Sequence, residues 1–137
     1  MLEVNVNYWA VLVAGAVYFV LGGLWYSPIL FAKPWLAALG KTAEQIRQQG
    51  GAVGAYVISF IGSLISAFVL AMFVRMQAPA SLQSGLTTGF FVWFGFVATT
   101  VAPPYFYEDR SKKIYLMYAG YTLVGFLLMG GLLSVWQ

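Results

Sequence analysis

Apolar positions in this chain neither alternate nor stripe a single face; they continue for about twenty residues at a time. The first run goes from Tyr8 to Tyr26 without a charge and closes at Ser27-Pro28. The second covers Ala52 to Val74, the third about Leu82 to Ala102 and the fourth Ile114 to Trp136. Each holds roughly 18 to 23 residues, enough to cross about 30 Å of hydrocarbon at 1.5 Å per helical residue. Backbone in lipid must satisfy its own hydrogen bonds, so each run is expected to be a helix. The short alternating segments of a membrane barrel are missing. The pattern predicts an all-α, polytopic membrane protein: one domain, 1–137, with transmembrane helices at about 8–27, 52–74, 82–102 and 114–136. The residues before the first run, Leu2 to Asn7, carry one acid and no Lys or Arg. They lack the basic start of a cleavable signal, so the first helix is expected to be retained.

The first loop has a pattern of its own. Phe31, Trp35, Leu36 and Leu39 recur at helical spacing, with Lys33 and Lys41 available to headgroups, which predicts a short interfacial helix. Gly40 is a natural stop. Thr42-Ala43-Glu44-Gln45 has the spacing of a capping box and predicts a second short helix, ended by Gly50-Gly51.

Composition narrows the chemistry. Of 137 residues, 8% are charged, against about a quarter in soluble domains, which excludes a soluble globular protein. Cys and His are both absent, which removes disulfides, thiol chemistry, the commonest metal ligand and the usual general base. Lys33, Lys41 and Arg47 lie in the first loop and Arg110, Lys112 and Lys113 in the third, against Arg75 alone in the second. Six basic residues against one place the first and third loops in the cytoplasm by the positive-inside rule, with both termini outside. Tyr8, Trp9 and Trp136 would then mark the outer interface, and Trp25, Tyr26, Tyr56, Tyr105, Tyr107 and Tyr115 the inner one.

Helices in lipid associate through small residues and hydroxyls. Ser59, Gly62, Ser63 and Ser66 in the second run, Gly85 and Gly89 in the third, and Gly120 and Gly125 in the fourth are the expected packing positions. These small faces exceed what one bundle needs, so a homo-oligomer is expected. Glycine followed by proline and aromatics near the ends of the first and third runs (Gly22-Gly23, Pro28, Phe31; Gly95, Pro104, Tyr105) also suggests a parallel two-plus-two repeat.

No ionisable residue lies deep in a run, which argues against a proton relay. The only acids are Glu3, Glu44, Glu108 and Asp109, and neither a nucleophile motif nor a phosphate loop occurs. No enzyme, metal or cofactor is expected. What remains clusters at the cytoplasmic boundary: Trp25, Tyr26, Ser27, Phe31, Lys33 and Trp35 from the first hairpin, and Glu108 and Arg110 from the second. Their functional reading is an aromatic-walled pocket with Lys33 and Arg110 as anion ligands. Their simpler reading is interfacial anchoring, with the basic loops on anionic lipid at about 1 kcal/mol per basic residue.

The stretch Leu21-Gly22-Gly23-Leu24-Trp25-Tyr26-Ser27-Pro28-Ile29-Leu30-Phe31-Ala32-Lys33-Pro34-Trp35 resembles the hallmark of a bacterial membrane family, domain of unknown function 1761. Gly95 to Thr100, Glu108-Asp109-Arg110, Tyr118 to Tyr121 and Leu128-Met129-Gly130 are similar to its second half. The resemblance implies four membrane helices in the bacterial cytoplasmic (inner) membrane and no particular activity. A second resemblance, to the four-helix membrane glutathione enzymes, fails because their arginine- and glutamate-bearing second helix has no counterpart in Ala52 to Val74. The expected function is a homo-oligomer that binds or passes a small solute at its cytoplasmic end. The other reading is a non-transporting scaffold that binds lipid or a membrane partner. Nucleic acid is not an expected partner.

Overall fold

The computed structural model describes residues 5–77 and 79–137; Glu3 and its neighbours in the leading segment lie outside them. The described residues form helices and no strands. The helices are α1 (Tyr8–Trp25), α2 (Ala32–Leu39), α3 (Ala43–Gln48), α4 (Ala52–Arg75), α5 (Leu82–Val92), α6 (Thr99–Tyr107) and α7 (Lys112–Val135), with a π-helical segment, Trp93–Ala98, joining α5 to α6. α1, α4, the continuous run Leu82–Tyr107 and α7 are long and apolar enough to span a membrane. At 18 residues α1 is about 27 Å long, close to the hydrocarbon thickness. The 24 residues of α4 and of α7 reach about 36 Å, so both must tilt or project beyond it.

Local chemistry explains the boundaries. The Asn7 side chain accepts from the Trp9 and Ala10 amides and starts α1. α1 ends at Trp25, slightly before the position expected from apolar continuity. Pro28 cannot donate to the Leu24 carbonyl, and the Ser27 hydroxyl donates there instead at 2.6 Å. Ser27 Oγ also accepts from the Ile29 amide at 3.3 Å, so this one side chain organises the turn into α2. Gly40 closes α2 in the left-handed conformation, at φ 69°. Thr42 and Gln45 form the reciprocal capping box of α3, and Gly50 and Gly51, both at positive φ, separate it from α4.

The third span departs from expectation. It does not stop at Ala102 but continues through Pro103 and Pro104 to Tyr107. Those prolines withdraw the amides that would serve the Thr99 and Thr100 carbonyls, and the π segment just before them shifts bonding from i+4 to i+5. Hydroxyls add bonds to other carbonyls of this irregular stretch: Thr99 donates to the Gly95 carbonyl at 2.7 Å, Thr100 to the Phe96 carbonyl, and Tyr115 of α7 to the Ala98 carbonyl at 2.8 Å. The proposed repeat is therefore not matched in detail, because proline ends the first span and lies inside the third.

α7 is the hub. It packs against α5, α1 and α4, while α1 also packs along α4. Gly85 and Gly89 let α5 lie directly on the α7 backbone: a Cβ at Gly85 would strike the Gly130 carbonyl and Ser134, and one at Gly89 the Phe126 carbonyl. The core is made of Ala10, Ala14, Ala67, Leu70, Met129 and Leu133 with their neighbours. These come from the first half of α1 and the second halves of α4 and α7, so the core sits toward the Arg75 end. From Ala52 to Gly62 α4 buries no residue. The bundle is thus tightly closed at the Arg75 end and loosely packed at the other, which carries the first and third loops and is called here the basic end.

Candidate functional site

At the basic end an aromatic nest forms around Tyr121 of α7. Its ring centroid lies 5.1 Å from that of Tyr18, 6.0 Å from Tyr26, 6.1 Å from Tyr118 and 6.4 Å from Trp25. Glycines make the room. The Tyr121 hydroxyl lies over Gly22, where a Cβ would approach it to 2.9 Å; the Trp25 ring covers Gly120, and the Tyr18 ring covers Gly125. α2 closes the nest from the loop side, with Phe31 at 4.8 Å from Trp25 and Trp35 at 5.1 Å from Tyr26. Burial, and then the neighbouring Tyr118, Tyr105 and Tyr121, push the Tyr26 phenol above its ordinary value, so it is uncharged at physiological pH.

The indole nitrogen of Trp25 is shielded from solvent and donates to no acceptor among the described residues. An unpaired buried donor costs about 1 to 3 kcal/mol, and such groups are uncommon. The other indole with a buried role shows the contrast: Trp93 donates to the Thr122 hydroxyl at 2.9 Å.

The residues singled out in the sequence separate into three groups. Trp25, Tyr26 and Trp35 meet in the nest, and Ser27 shapes the turn beneath it. Lys33 is exposed on α2. It lies about 200° round the helix from Phe31 and from Trp35, so it does not share their face. Glu108 and Arg110 pair with each other, both half exposed, and the Arg110 guanidinium stands 5.6 Å over the Tyr105 ring. An anion site joining Lys33 to Arg110 is therefore not assembled.

The packing candidates also divide. Gly85 and Gly89 make the α5–α7 seam, and Gly120 and Gly125 carry the nest rings. Ser63 is buried and donates to the Ser59 carbonyl at 2.8 Å, whereas Ser59 and Gly62 face outward and Ser66 is half-buried. Sequence reasoning grouped Phe31 with Trp25 and Trp35 but missed Tyr18 and above all Tyr121 as members of the site. Tyr115, Tyr118 and Tyr121, spaced three apart on one helix with Gly120 and Gly125, were the available signal.

Four apolar spans around a common hub define a multi-pass, all-α membrane protein. The chain matches over residues 9–134, and belongs to, the family described as protein of unknown function (DUF1761). No curated protein and no solved structure matches it.

Proposed function

We propose that this protein binds a small solute in the aromatic nest at its basic end, that this end faces the cytoplasm, and that it acts as a homo-oligomer in binding or transport rather than as an enzyme. The observation that carries the reading is the unpaired Trp25 indole N–H amid packed rings. A donor left unmatched in a shielded site is a place where a ligand acceptor restores a hydrogen bond. The looser packing of the basic end supports entry from that side. The oligomer is supported by α4, whose Gly54, Ser59 and Gly62 face outward with open space over both glycines. Small residues and hydroxyls are what membrane helices use to associate. Because four helices enclose little interior, a path would run between protomers about the symmetry axis.

Purified protein in liposomes, tested against a broad panel of ions, amino acids and small neutral and anionic solutes, should show saturable binding or flux that falls with Trp25→Phe. No binding and no flux above empty vesicles across the panel would overturn the reading. Native mass spectrometry from mild detergent should give a dimer or trimer, and monomer alone would remove the oligomer.

A further inference from the structure

Resting on that reading, we infer that the nest accepts an uncharged carbonyl-type oxygen carried on an apolar body, not an anion and not a cation. The Trp25 N–H calls for an acceptor. The polar groups of the surrounding nest are phenols: Tyr121 packs against Trp25, Tyr26 and Tyr118 pack against Tyr121, and Tyr26 is neutral. The basic side chains nearest in the fold face solvent: Lys33, Lys112 and Lys113 are exposed, and Arg110 pairs with Glu108 at the surface. An anion buried without a partner loses its hydration and regains little, whereas a carbonyl oxygen needs one N–H. The same rings would attract a cation. The N–H dipole opposes one, however, and the carboxylates at this end of the third span, Glu108 and Asp109, are both exposed, with Glu108 paired to Arg110. Phe31, whose ring packs on Trp25, rides on the turn between α1 and α2.

Trp25 is the last residue of α1, and a helix of that length ends near the boundary between the hydrocarbon and the interfacial region. The oxygen can therefore come from a lipid ester or from a solute, and both present the same chemistry. The test uses protein labelled with ¹⁵N at the tryptophan indoles, in nanodiscs of ether-linked phosphatidylcholine, which lacks ester carbonyls. Trp25→Phe identifies the Trp25 signal among the five tryptophans. Acetophenone should move that N–H signal downfield and saturably while the other indoles stay, and benzoate and ethylbenzene at equal concentration should leave it in place. A signal already downfield in ester-linked lipid, and unmoved by acetophenone there, supports the uncharged acceptor and names lipid as its source, against a solute function. Movement by benzoate that is lost in Lys33→Gln would overturn the inference and leave the solute site standing. No movement by any probe in either lipid would overturn both.

Discussion

At the scale of single residues, the bundle depends on where side chains are missing as much as on those present. Gly85 and Gly89 permit backbone contact between α5 and α7. An added methyl has nowhere to go, because the opposing atoms are carbonyls and not flexible side-chain ends. Gly85→Ala and Gly89→Ala are each expected to destabilise the protein by about 1 to 3 kcal/mol, the usual cost of overpacking. Gly54 has open space around it, so Gly54→Ala should be neutral or stabilise α4 by about 0.5 to 1 kcal/mol. Steric-trap unfolding in bicelles would read all three, and equal effects would contradict the seam. Trp25 gives a second contrast. Trp25→Phe keeps a ring against Phe31 and Tyr121 while removing the unpaired donor, so stability should change by less than about 1.5 kcal/mol. Trp25→Ala empties the same volume and should cost about 3 to 5 kcal/mol. A Phe variant as unstable as the Ala variant would mean that the indole N–H is paired after all.

At the scale of elements, the third span shows why some features were legible and others were not. The stop of α2 at Gly40 and the cap of α3, Thr42 with Gln45, depend on residues a few positions apart, and short-range patterns reveal them; the Asn7 cap of α1 was not read from the sequence. Pro103-Pro104 is also a short-range pattern, and read alone it ends a helix. The irregular stretch just before it also holds a contact that no local pattern could supply, the Tyr115 hydroxyl reaching from α7 to the Ala98 carbonyl. The aromatic nest follows the same rule. Trp25, Tyr26, Phe31 and Trp35 were visible because they lie close in sequence, whereas Tyr18 and Tyr121 came together through tertiary packing, Tyr121 against Gly22. Lys33 and Arg110 were grouped by shared depth, and depth does not specify which way a side chain faces. Tyr115→Phe should cost about 1 kcal/mol. It should also speed amide exchange within Thr99–Tyr107 while leaving Leu82–Val92 protected. Uniform exchange along the whole span would show that the hydroxyl does not hold the irregular half in place.

At the scale of the whole molecule, packing and charge are polarised along the same axis. The core occupies the Arg75 end, and six of the seven basic residues occupy the other. A bundle anchored at one end and loose at the other can admit a ligand between its helices without unfolding, and the proposed site uses that freedom. Which compartment the loose end faces is set by how the chain inserts, and Lys and Arg in short loops bias insertion toward the cytoplasm. The absence of cysteine makes this directly measurable. Gln77→Cys, in the exposed loop after α4, should react with an impermeant maleimide in intact cells. Gln49→Cys and Ser111→Cys, in the first and third loops, should react only after permeabilisation, which also establishes that each thiol is accessible. Replacing Lys33, Lys41, Arg47, Arg110, Lys112 and Lys113 by Gln while adding Lys beside Arg75 should then give mixed or inverted labelling. Labelling of the two loop thiols but not of Gln77→Cys in intact cells would invert the topology and place the aromatic nest outside, where a cytoplasmic solute could not reach it.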